Sequence, residues 1–120
     1  MTKDRVPHRG DVFLINPNPQ AGREMRNPHR FAVITPKEIN KLGIAMAVPV
    51  ASGGSFSRIK GLTVAITGHD TTGVAVCNQI RSLDIEERVK NGSAKFVERL
   101  DDHIIDEIVL RVISVIDPAL

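Results

Sequence analysis

The feature that most restricts the fold of this chain is how its apolar residues are parcelled. Up to Cys77 they come in short runs, each cut off by proline, glycine or asparagine, and only the C-terminal segment changes period. Val12-Phe13-Leu14-Ile15 and Phe31-Ala32-Val33-Ile34 read as buried strands, as do residues 44–50, 62–66 and 74–77. Five short strands with turn signals between them favour a small barrel or rolled sheet. Pro36 can open a short helical piece reaching Asn40. Beyond Leu100 the spacing becomes helical, with Ile104, Ile105, Ile108, Val109, Val112, Ile113 and Ile116 forming one wide apolar face. Asp101 is placed to cap that helix, Leu100 and Ile105 to staple it, and Pro118 to stop it.

Two connections stand out between the strands. Asn16-Pro17-Asn18-Pro19-Gln20-Ala21-Gly22 excludes regular structure, and the polar segment runs on to Arg30. Loops that long in small domains are usually functional or disordered. The second, Ala51-Ser52-Gly53-Gly54-Ser55, is small and glycine-rich, so a ligand can approach its backbone closely.

Charge is unevenly divided. Residues 1–60 hold ten Lys/Arg against four Asp/Glu, about +6, whereas residues 61–120 hold six against ten, about −4. A basic half suits a polyanionic partner, although an unevenly charged solvated surface would read the same way. The chain has no Trp or Tyr and only four Phe, so a broad stacking platform for bases is excluded. A single cysteine, Cys77, rules out an intrachain disulfide and a cysteine-cluster metal site. A length of 120 residues implies one domain. No apolar stretch approaches the roughly 20 residues needed to cross a bilayer, and the polar residues 1–10 lack a signal-peptide core. The expectation is a cytoplasmic protein without a membrane partner.

Four segments in order then resemble the MazF/PemK (Kid) toxin family, and the PemK branch most closely. Arg9-Gly10-Asp11-Val12 looks like the family's opening R-G-[DE]-[IV] strand. Gln20-Ala21-Gly22-Arg23-Glu24, followed by His29-Arg30, resembles its [ST]-x-G-[HS]-E-Q-x-G-x-R-P loop. Val48-Pro49-Val50-Ala51-Ser52-Gly53-Gly54-Ser55-Phe56-Ser57-Arg58 is similar to V-P-[IV]-T-[SQ]-G-G-N-F-A-R. Thr72-Gly73-Val74 and Asn78-Gln79-Ile80-Arg81-Ser82-Leu83-Asp84 resemble T-G-V and [DN]-Q-x-R-[ST]-[IML]-D. The resemblance spans residues 9–116. It implies a mainly β fold, an SH3-like small barrel of the MazF/CcdB shape with a C-terminal helix. It further implies a homodimer, metal-independent cleavage of single-stranded mRNA without a cofactor, and a cognate antitoxin with which the toxin binds DNA as a complex.

RNA supplies its own nucleophile, the 2′-OH. Cleavage without a metal needs a base for that proton, cationic donors for the phosphorane and an acid for the 5′-oxygen. By the resemblance, Glu24 is the candidate base and Arg30 the donor fork for phosphate. His29 is a candidate proton shuttle, since an imidazole titrates near neutrality. Arg23 and Arg26 read as phosphate contacts. Ser52 and Arg58 are candidates to orient the scissile phosphate or a base, and Phe56 to stack, with a buried loop anchor as its alternative. Asn78 and Gln79 carry amides that can read base edges or hold a phosphate, or else serve structural hydrogen bonds.

The departures bear on catalysis. Arg23 stands where the PemK branch commonly has His, and Ala51 where it has Thr. Val76-Cys77-Asn78-Gln79 stands where that branch often reads R-C-D-Q. Asn cannot act as a base and Val cannot donate to phosphate, so the first-loop group Glu24, His29 and Arg30 has to carry the chemistry. The alternatives are a catalytically weakened RNA- or antitoxin-binding protein on the same scaffold, and a gyrase-directed poison of CcdB shape. The loop motifs favour the ribonuclease branch over the second.

Overall fold

Alternation along the strands builds two cores, one on each face of a single sheet. The computed structural model describes residues 6–16, 28–52 and 61–119. Among them are seven strands: β1 (Asp11–Ile15), β2 (His29–Val33), β3 (Ala45–Ala51), β4 (Thr63–Thr67), β5 (Thr72–Val76), β6 (Arg81–Leu83) and β7 (Ala94–Arg99). Three helices accompany them: α1 (Lys37–Asn40), α2 (Ile85–Lys90) and α3 (Asp102–Ile116). The sheet runs β4-β5-β3-β2-β1-β7, with β6 paired to the first half of β3, and every pairing is antiparallel.

The registers Val12↔Ala32 and Ala32↔Val48 put those residues on one face, where Ile104, Ile105, Ile108 and Val112 of α3 cover them. Their neighbours Phe13, Phe31, Val33 and Ala47 point the other way and pack with Leu83, Ile85 and Ala94. This is the period-two consequence of a strand buried on both sides, which is why β1 and β2 read as continuous apolar runs. No helix among the described residues is long and apolar enough to cross a membrane.

Several boundaries differ from the sequence expectation. The polar connection was expected to reach Arg30, yet β2 already begins at His29. Pairing of His29 with Ile15, and of Arg30 with Leu14 and Val50, extends the strand past its apolar part because ladder hydrogen bonds ignore side-chain polarity. The fourth and fifth strands each begin one or two residues off the expected place. Three elements had no expectation at all: β6, α2 and β7. β6 has only three residues. α2 is short and charged, and its signal is Asp84, whose carboxylate accepts the Glu87 N–H at 3.1 Å. β7 carries Lys95, Glu98 and Arg99, and becomes a strand by pairing with β1.

The C-terminal helix forms as its spacing predicts, but its apolar stripe is wider than the sheet covers. Ile104, Ile105, Ile108 and Val112 are buried, whereas Ile113 and Ile116 are exposed at 39% and 67%. Asp101 occupies the N-cap with extended backbone, although its side chain makes no capping hydrogen bond.

The opening Arg9-Gly10-Asp11 segment ties the start of β1 to the ends of β2 and β7. Gly10 adopts φ +96, which a side chain would resist; its N–H donates to Val33 O and its carbonyl accepts from Leu100 N. Asp11 is buried and accepts from His8 N at 2.9 Å and from Arg99 Nε at 2.7 Å. Asn40, also buried, donates to the Pro7 and Thr35 carbonyls.

Candidate active site

Arg30 lies on the face of β2 shared with Ala32, at the end of the strand, where it pairs with Val50 of β3. Its Nη1 donates to the carbonyl of Asp70 at 2.5 Å, in the turn joining β4 to β5. That bond uses one of the five donors of a guanidinium. Ser52, one residue past β3 and two beyond Val50, is exposed at the same end of the sheet.

The turn is itself held from the far side of the sheet. Glu98 of β7 pairs with Val12, and its side chain is buried on the α3 face, at 8% exposure. Its two oxygens accept the N–H groups of His69 at 3.0 Å and Asp70 at 2.8 Å. Burial alone would raise this carboxyl's pKa. The Thr71 hydroxyl beside it, the two amides and the charge of His69 outweigh that and hold it below the usual carboxylate value. The Thr71 hydroxyl is fully buried and does not reach full hydrogen-bond geometry with any partner. Within the turn, Gly68 N–H donates to Thr71 O at 2.8 Å.

His29 is half-buried and leaves β2 on the face of Phe31 and Val33, opposite to Arg30, because successive strand side chains alternate. Asn78 and Gln79 follow β5 in its connection to β6; Asn78 is exposed, and Gln79 is half-buried with its N–H on Val76 O at 3.2 Å. The register Val50↔Ala75 places Arg30 level with Ala75, so Asn78 lies roughly 10 Å farther along the strand direction, away from the 68–71 turn. Arg23, Glu24, Arg26, Phe56 and Arg58 lie outside the described residues. The first connection is flanked by Asn16 and Pro28, next to the paired Ile15 and His29 at the Arg30 end of the sheet; the second leaves from Ser52 at that same end and returns at Gly61, beside the Thr63 end of β4, on the side of Cys77 and Asn78.

Two departures from the family pattern have a structural setting. Val76 and Ala51, at positions where the PemK-branch pattern carries Arg and Thr, are buried at 1% and 6% exposure. Cys77 between them and Asn78 is fully buried, and desolvation raises its thiol to about 11, against a smaller lowering by the charge of Arg111. Among the described residues no group of three His, Cys, Asp or Glu converges as metal ligands.

Sequence reasoning did not single out Asp70 or Glu98. Residues 67–73 were legible only as a turn, and a lone glutamate in an unrecognised strand carries no local signal. Both depend on which strands the topology brings together.

Known proteins share this sequence pattern and fold. Residues 8–116 match the family described as PemK-like, MazF-like toxin of type II toxin-antitoxin systems. Endoribonuclease PemK of Escherichia coli is 32% identical over 111 residues, covering 90% of this chain and 80% of that protein. Endoribonuclease toxin ChpB of Escherichia coli strain K12 is 31% identical over 120 residues, covering 98% of this chain and 100% of that one. The crystal structure of MazF from Deinococcus radiodurans superimposes with a TM-score of 0.78 at 26% identity, covering 94% of this chain and 98% of its own, so the rolled sheet with its C-terminal helix is the SH3-like barrel of that protein. With the match running over nearly the whole length and the motifs in order, the chain belongs to the PemK-like, MazF-like toxin family of type II toxin–antitoxin systems.

Proposed function

We propose that this protein is a single-domain, metal-independent and sequence-selective endoribonuclease toxin that cuts single-stranded mRNA and thereby inhibits translation. The observation that carries the reading is Arg30. It stands at the end of β2, oriented by the Asp70 carbonyl at 2.5 Å, where the basic connection returns to the sheet. The endoribonuclease relatives PemK and ChpB support the same activity.

In the proposed reaction, Glu24 takes the proton of a ribose 2′-OH and the 2′-oxygen attacks the adjacent phosphorus. The bond from phosphorus to the 5′-oxygen breaks, and that oxygen takes a proton, for which His29 is the candidate carrier. Arg30 donates to the phosphorane oxygens as their charge builds up, where a preorganised donor contributes most. Arg23 and Arg26 contact flanking phosphates, Ser52 and Arg58 orient the strand, Phe56 stacks on a base, and Asn78 and Gln79 read base edges. The protein acts as a cytoplasmic homodimer and is neutralised by a cognate antitoxin; membership of a toxin–antitoxin family supports that partner.

Incubating the purified protein with RNA in EDTA tests the reading. The expected products end in a 2′,3′-cyclic phosphate and a 5′-hydroxyl. A 5′-phosphate, or intact RNA at high protein excess, contradicts it.

The second reading is a weakened enzyme that holds RNA or only its antitoxin. The burial of Val76 and Ala51 favours it, because those positions offer the site neither a cation nor a hydroxyl. Tight RNA binding without cleavage would establish it.

A further inference from the structure

The buried Glu98 carboxylate has no part in the reaction scheme above, yet its placement is unusually determined. It lies on the α3 face of β7, where an unpaired carboxylate would be costly, and each of its oxygens receives one backbone N–H of the 68–71 turn. Gly68 makes that approach possible. A Cβ at position 68 would lie 2.9 Å from Oε1 and 3.0 Å from Oε2 of Glu98, and 3.1 Å from Thr71 O. The turn thus connects β4 and β5, at one end of the strand order, with β7 at the other. Asp70 N–H faces Glu98, and Asp70 C=O faces Arg30 Nη1.

We infer that Glu98 is a positioning residue for Arg30: by fixing the amides of His69 and Asp70 it aims the Asp70 carbonyl, and that carbonyl sets where the guanidinium presents its remaining donors. This rests on the role proposed above for Arg30. The chain of contacts is short and every link is directional, so a displaced turn moves the guanidinium with it. Arginine is a long side chain with many rotamers, and a single fixed acceptor removes much of that freedom before RNA arrives.

The test uses Glu98→Gln, Glu98→Asp and a double-mutant cycle with Arg30→Ala. Gln keeps the shape but offers one acceptor, and its NH2 confronts the second amide as donor to donor. Asp retains both acceptors one methylene short. In ¹⁵N-arginine-labelled protein, Glu98→Gln is expected to shift and narrow the Arg30 guanidinium resonances toward a freely rotating side chain, with Glu98→Asp in between. An unchanged Arg30 signal in folded Glu98→Gln overturns the inference. Because this readout needs no substrate, it decides the positioning role even if the protein fails to cleave RNA, which would sink the functional reading separately.

On RNA, Glu98→Gln is expected to lower kcat by about ten- to hundredfold per folded molecule while KM stays within about twofold, as misplacement of a reacting group by around 1 Å does. Glu98→Asp is expected to recover most of that loss. In the Arg30→Ala background, Glu98→Gln is expected to cost nothing further. Wild-type kcat with only a lowered Tm would show that Glu98 merely joins two ends of the sheet, and additive losses in the cycle would show that it acts apart from Arg30; either overturns the inference. Should Glu98→Gln not fold, Gly68→Ala displaces the same carboxylate from the turn and is read out identically.

Discussion

Glu98 and Arg30 hold opposite sides of one residue: Asp70 donates its N–H to Glu98 Oε2 at 2.8 Å and offers its carbonyl to Arg30 Nη1 at 2.5 Å. A buried anion and a half-exposed cation, contributed by strands that are not neighbours in the sheet, are thus joined through a single turn. The basic character of the early chain meets the closing point of the fold at that turn.

The protonation of Glu98 gives the turn a signature in acid. Its folded-state pKa lies below the 4.5 of an unperturbed glutamate, so between those two values the unfolded chain binds more protons. Its contribution to stability is therefore fully present above about pH 4.5, and is lost as pH falls through the folded value. Urea unfolding of wild type and Glu98→Gln across pH 7 to 3 is expected to show wild type more stable at neutrality, with the gap narrowing in acid. A gap that stays constant or widens would mean that the carboxylate is not held ionised by its amides.

Gly73 lies against β3 with no room for a side chain. At φ +135 a Cβ there would lie 2.1 Å from Ala51 O, a backbone atom that cannot step aside without parting β5 from β3. Gly73→Ala should destabilise the protein by about 3 kcal/mol or more, combining a strained conformation with a lost strand pairing. Chemical denaturation measures this directly; a loss below about 0.5 kcal/mol, the range of ordinary surface changes, would contradict it.

Cys77 should be chemically silent while the protein is folded. It is fully buried, its thiol is raised to about 11 and its Sγ–H points to Ala75 O at 3.8 Å, so almost no thiolate is present at neutral pH. Iodoacetamide at pH 7.5 is expected to label it only after denaturant is added. Rapid labelling of native protein would refute the packing around β5.

The parts of the fold legible in the sequence are those with local periodicity. Val12-Phe13-Leu14-Ile15 and Phe31-Ala32-Val33-Ile34 announce β1 and β2, and the repeat from Ile104 to Val112 announces α3, because burial on one helix face or both strand faces leaves its mark on neighbouring residues. β6 and β7 exist through pairing with β3 and β1, a non-local fact that Arg81-Ser82-Leu83 does not encode. α2 did leave a trace in Asp84 and Glu87, spaced as a cap and its first turn. The site divides in the same way. Arg30 was found through a motif, whereas its partner Asp70 and the anchor Glu98 come from a turn and a strand that meet it only when the sheet rolls up. Sequence order also placed His29 beside Arg30 as one catalytic group, while strand alternation sends their side chains to opposite faces of β2.

The most direct measurement is the cleavage rate of a defined single-stranded RNA in EDTA by wild type, Arg30→Ala and Arg30→Lys, with folding checked by Tm. The account predicts cleavage by wild type, and a fall in kcat/KM of about a hundredfold in Arg30→Ala with native stability, as expected when a transition-state donor is removed. Lysine should restore charge without the planar fork and recover only a small part of the rate. Wild-type turnover in a folded Arg30→Ala protein would contradict the central claim.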